Sequence, residues 1–154
     1  CAKEFGRRLG AAILAASGTN FATAEDARAE LHRIVQGMAG FLLGDAGASE
    51  IVPVMLRELA EGGPGIGAVY TGFAEPTHRR LCALWGQATG TDPEADSTRL
   101  AVFTLIGQLM YFRIGRTVVA RRMGWTAIDA PEIGQIASRI IRNLDAMLDT
   151  DRGP

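Results

Sequence analysis

The stretch from Arg99 to Trp125, RLAVFTLIGQLMYFRIGRTVVARRMGW, constrains this chain more than any other. Wound as a helix at about 100° per residue, its first half carries two apolar arcs. Val102, Leu105, Ile106 and Leu109 form one; Leu100, Phe103, Met110 and Ile114 form the other. Only Thr104, Gln108 and Tyr111 interrupt them, as a narrow polar stripe at i, i+4 and i+7. A helix that is apolar on two arcs has to be covered twice. One cover is the chain's own core, and the second is another subunit or a ligand chamber. The other helices are expected to be arranged around this one.

The 154 residues suffice for one domain with a core of its own, and no linker divides them. A formal net charge of -1 argues against a stand-alone nucleic-acid binder, which carries a strong basic excess. No unbroken apolar run reaches the roughly 18 residues of a membrane span. The patch Ala11–Ala16 is too short and too rich in alanine for a signal peptide. A cytoplasmic location without membrane contact is expected. Cys1 and Cys82 are the only cysteines, too few for a disulfide framework. Both read as free thiols, with Cys82 a small core residue.

No segment alternates as a strand between hairpin turns, so the expected fold is all-α, a bundle of about six helices. The first spans Ala2–Ser17, with Gly18 as its stop. Thr23 opens the second, and Glu25 and Asp26 in its first turn suit the helix dipole. Its apolar stripe runs through Leu31, Ile34, Val35, Met38, Phe41 and Leu42, with Gly37, Gly40 and Gly44 on a shared face. Asp45–Ser49 reads as a turn capped by Ser49, and Glu50–Glu61 as the third helix, with Pro53 in its first turn. GGPGIG at Gly62–Gly67 breaks the helix, and no Gly-Lys-Ser/Thr makes it a phosphate loop. Ala68–Thr89 is helical with a bend near Pro76. Asp92 is expected to cap the central helix, with Pro93 at its first position. Asp129 and Glu132 have capping-box spacing before the last helix, whose stripe runs from Ile133 to Leu148.

Catalytic chemistry finds little support. His32 and His78 belong to no zinc spacing. Glu75 and His78 have the Glu-x-x-His spacing of helical di-iron proteins, but Pro76 lies between them and there is no second copy. No catalytic residue, metal or cofactor is assigned. Arg113, Arg116, Arg121 and Arg122 form a basic run; cations at a helix end complement its C-terminal dipole. The uncharged stripe Thr104, Gln108 and Tyr111 suits a chamber that orients a small molecule with a few hydrogen bonds. Met55, Tyr70, Trp85 and Phe112 would supply its apolar wall. A polar contact across a helix pair fits the stripe equally well.

Three segments, VMLRELA at 54–60, GQLMYFR at 107–113 and GW at 124–125, give the chain a family likeness. It resembles the C-terminal regulatory domain of TetR-family transcriptional repressors, and more narrowly the CerR-like branch. The resemblance covers most of the chain. It implies a ligand pocket for an apolar or aromatic effector, and a homodimer in which the last two long helices of each subunit pair. Those helices would be Pro93–Val118 and Pro131–Leu148, with Leu105, Leu109, Ile133, Ile136, Ile140 and Leu144 at the interface. Ala2–Ser17 would link the pocket to a helix-turn-helix module. That module is expected to be absent from this chain, so DNA would be reached only through it. The alternatives are a helical dimeric scaffold without a ligand and, more remotely, a helical metal enzyme.

Overall fold

The computed structural model describes residues 21–44, 46–63 and 65–152. The expected helix Ala2–Ser17 and Cys1 lie outside the described residues. Among those described, every regular element is helical: α1 (Ala24–Gly44), α2 (Ala46–Glu61), α3 (Ile66–Val69), a π-helical turn (Tyr70–Ala74), α4 (Glu75–Thr89), α5 (Asp96–Ile114), α6 (Arg116–Met123) and α7 (Ala130–Asp151). The fold is an all-α bundle, as the periodicity requires.

Its organiser is α1, not the helix with two apolar arcs. α1 packs against α2, α4, α5 and α7, most extensively against α4 and α7. Leu31, Ile34, Val35, Met38 and Leu42 are all buried along it. Thr23 opens it as expected. The Asp26 backbone N–H donates to Thr23 Oγ1 at 3.0 Å, and the Thr23 N–H donates to Asp26 Oδ2 at 3.1 Å. This reciprocal pair satisfies donors that a helix start otherwise leaves unpaired.

Proline places two irregularities. α2 begins at Ala46 rather than after Ser49, so Pro53 lies inside the helix and not in its first turn. There it has no N–H for the carbonyl four residues back. Pro76 acts from the start of α4. It cannot donate to the carbonyl of Gly72, and the preceding turn widens: the Glu75 N–H reaches back five residues to Tyr70 O. The expected bend near Pro76 is therefore a π turn.

α5 also starts later than expected. Asp92 and Pro93 belong to a turn in which Asp92 Oδ1 accepts from the Glu94 N–H at 2.9 Å, and the helix begins at Asp96. It stops at Ile114, and α6 resumes after Gly115. The α4–α5 corner is tight. Gly90 adopts φ 82° as the α4 cap, and a Cβ on Gly86 would stand 2.7 Å from the Thr91 carbonyl oxygen. A chain of hydroxyls from Thr89 through Thr91 to Thr98 ties the corner together.

The last helix carries the expected capping box, with Asp129 and Glu132 reciprocally bonded. Its far end is latched to α4. The Trp85 indole N–H donates to Asp151 Oδ2 at 2.9 Å, and Arg152 donates to the Ala88 carbonyl at 3.1 Å. Along its flank, Arg28 and His32 of α1 both reach Asp145, His32 at 2.7 Å, and Arg28 also pairs with Asp149. That bond to Asp149 is the main reason the Arg28 pKa is raised. Trp85 is fully buried. Trp85→Ala is expected to lower stability by about 3–5 kcal/mol, the cost of a large aromatic lost from a core. Trp85→Phe should cost about 1.5–3 kcal/mol for the missing hydrogen bond to a carboxylate. Urea unfolding midpoints of the two variants check both values.

Candidate functional site

The two arcs of α5 face opposite ways. Val102, Leu105 and Leu109 are buried in the chain's own core. Leu100, Phe103, Tyr111 and Ile114 are exposed at 65%, 59%, 57% and 65%. Val118 and Met123 of α6 are exposed as well. Gly107 sits between Phe103 and Tyr111 with nothing within 4 Å of the position its Cβ would take. A glycine within a helix costs roughly 0.5–1 kcal/mol relative to alanine, and none of the described residues crowds the site to require one.

This orientation corrects the expected interface. Leu105, Leu109, Ile136, Ile140 and Leu144 are buried inside the chain, and Ile133 is partly buried against α1, whose Gly44 leaves no room for more than the Ile133 side chain. The five buried residues cannot form a face presented to a partner without opening the bundle. Their apolar character is used up by α1, which packs against both α5 and α7.

The expected chamber residues are not gathered in one enclosure. Thr104 is exposed and donates its hydroxyl to the Leu100 carbonyl of its own helix at 2.9 Å. Gln108 Oε1 accepts from Asn143 Nδ2 at 2.7 Å, a polar contact between α5 and α7. Tyr111 is exposed and meets the partly buried Phe112 edge-on. Tyr70 is exposed in the π turn, and Met55 packs partly buried from α2. Trp85 belongs to the core and spends its one donor on Asp151. His78 stacks on Phe103, with ring centroids 4.0 Å apart, and approaches the Cys82 sulfur at 3.6 Å. Burial pushes the Cys82 thiol's pKa up, which keeps it protonated and unreactive. Among the described residues, no group of three or more His, Cys, Asp and Glu side chains could hold a metal ion.

The basic run divides in two. Arg121 and Arg122 are exposed. Arg116 turns inward and donates to the Leu43 carbonyl at 2.6 Å and to the Ile128 carbonyl at 2.8 Å. Arg113 reaches the Leu42 carbonyl at 3.4 Å. Burial, and then the neighbouring charge of Arg116, draw the Arg113 pKa down. These cations do complement a helix dipole, but it is the dipole of α1, whose last turn has no basic residue of its own.

One polar cluster escaped the sequence reading. Glu30 is only 6% exposed, at the seam of α1 and α4, and both its oxygens accept from Arg33, at 2.7 and 2.5 Å. Arg80 of α4 lies beside it, with Nη2 at 3.7 Å from Glu30 Oε1. The available signal was a charge on each apolar stripe: Glu30 between Ala27 and Ile34, and Arg80 between Thr77 and Leu84.

Residues 27–150 match the family described as "HTH-type transcriptional dual regulator CecR, C-terminal domain". The chain belongs to that family. The match takes in α2 through α6 and nearly all of α1 and α7. The HTH-type transcriptional dual regulator CecR of Shigella flexneri is 33% identical over 82 residues, which are 52% of this chain and 36% of that protein. The chain thus aligns with about a third of that relative's length. It is the CecR domain, and not a CerR-like branch, that the match names. In this CecR-type domain the quoted segments fall on α2, on α5 and at the α6–α7 corner. There Gly124 adopts φ 71° and the Trp125 N–H returns to the Ala120 carbonyl. Among the described residues, no helix is long and apolar enough to cross a membrane.

Arg116→Ala should destabilise the CecR-type domain by at least the roughly 1.5–3 kcal/mol of one hydrogen bond to a charged group. Arg116→Lys should recover little of it, because a point charge does not span two carbonyls as a planar fork does. Chemical denaturation of the three proteins measures this.

Proposed function

We propose that this chain is the effector-sensing and homodimerising domain of a TetR-type transcriptional regulator, working in the cytoplasm together with a helix-turn-helix module. Its membership of the CecR C-terminal domain family supports the regulatory role. The observation that carries the dimer is the outer arc of α5. Leu100, Phe103, Gly107, Tyr111 and Ile114 form a continuous exposed surface on a helix whose other arc already serves the core. Exposed contiguous apolar surface on a folded domain marks an interaction site. An open glycine at its centre permits close approach of a second helix. The arc supports an interface on α5, and in a two-fold dimer each copy presents the same patch.

The effector is a small molecule with an apolar or aromatic body. It acts by coupling: binding inside the domain shifts the arrangement of the two subunits and so the spacing of the DNA-reading heads, within the 1–3 kcal/mol or so typical of such coupling. The Shigella relative's name calls it a dual regulator, so both repression and activation fall within the reading.

Phe103→Arg and Ile114→Glu are each expected to weaken self-association by at least about 100-fold, or roughly 2.7 kcal/mol, while leaving the helical content intact. Leu105→Arg and Leu109→Arg should instead unfold the chain. Sedimentation velocity and circular dichroism separate the two effects. A wild-type chain that sediments as a 16.4 kDa monomer at micromolar concentration would overturn the dimer.

A further inference from the structure

Arg80 carries two buried donors, Nε and Nη2, that make no hydrogen bond. Buried polar groups are almost always hydrogen-bonded, and Arg80, although its charge is balanced by Glu30 at 3.7 Å, leaves these two donors without an acceptor. The two orphaned groups are not a random pair. Nε–H and Nη2–H point the same way from one edge of the planar guanidinium. That edge matches the two oxygens of a carboxylate, which it grips through parallel hydrogen bonds.

Glu30 does not fill this role. Its two oxygens are already held by Arg33 from one turn along α1, and its nearest approach to Arg80 is 3.7 Å. That distance gives electrostatic attraction without a hydrogen bond. The neighbouring positions on the two helices are mostly apolar. Thr77, one turn before Arg80 on α4, is buried; Phe73, two turns before it, packs partly buried against the core; Ile34, one turn after Glu30 on α1, is fully buried. Phe73 lies in the π turn, and π turns are frequent at functional sites.

We propose that Arg80 is the anion-recognising group of the effector site, and that the effector carries a carboxylate gripped by Nε and Nη2 at the α1–α4 seam. This rests on the effector-sensing reading above and gives that effector its charge. Arg33 keeps Glu30 neutralised, so Glu30 does not repel the incoming carboxylate at full strength.

The experiment compares two carboxylates, benzoate and hexanoate, with their uncharged isosteres benzamide and hexanamide, by thermal unfolding and titration calorimetry on the intact chain. At least one carboxylate should raise the melting temperature saturably and bind at least tenfold tighter than its amide. Arg80→Met should abolish that preference while the ligand-free variant keeps its melting temperature, because an unsatisfied cation has been removed. Arg80→Lys should weaken carboxylate binding at least tenfold, and Arg79→Met, on the exposed side of α4, should leave it unchanged. Amides that bind as well as the acids overturn the anionic assignment and leave the sensor reading standing. An Arg80→Met variant that loses its fold, with wild type showing no preference for acids, makes Arg80 a structural partner of Glu30 and overturns the proposal. No response to any of the four compounds also overturns it, and the dimer is judged separately by sedimentation.

Discussion

A helix buried along most of its length creates a demand at its end. The last carbonyls of α1 have no partner within the helix and little access to water. Leu42 and Leu43 are themselves core residues, so the demand falls at the centre of the bundle. Arg113 and Arg116 meet it from the α5–α6 junction. Without those guanidinium groups, α1 could not run so deep among α2, α4, α5 and α7. The central position of α1 in turn is what gives the other helices a common surface to pack on.

That arrangement divides the labour of α5. Its inner arc meets α1 and α4, while its outer arc stays largely exposed, touched by His78 of α4 at Phe103. Core residues and exposed apolar residues therefore lie on opposite sides of one helix. A substitution at Leu105 acts on the core, whereas one at Phe103 acts on the surface. The Gln108–Asn143 hydrogen bond joins α5 to α7.

Much of the fold was legible because local chemistry settles it. Thr23 with Asp26, and Asp129 with Glu132, mark helix starts through bonds between residues three apart. The stripe from Ile136 to Leu148 repeats at helical spacing and is buried accordingly. The two arcs of α5 were equally legible, but a periodicity has no sign. It shows that both arcs need covering and not which one α1 covers, so the inner arc was assigned to a partner. Trp85 was less legible. An aromatic residue in an apolar stripe suits a pocket wall and a core alike, and its polar partner, Asp151, lies 66 residues away. Pro53 was placed by a local rule that a long helix overrode. The partners of Arg113, Arg116 and Arg80 are likewise far along the chain or on other helices, beyond the reach of any spacing rule.

Arg116 has a consequence for how the domain moves. One planar group holds the end of α1 and, at Ile128, the connection that leads into α7. These two segments are 85 residues apart in the chain, yet one side chain bonds both. The corner between α6 and α7 is thereby anchored to the end of α1, so displacing either one strains the same guanidinium group.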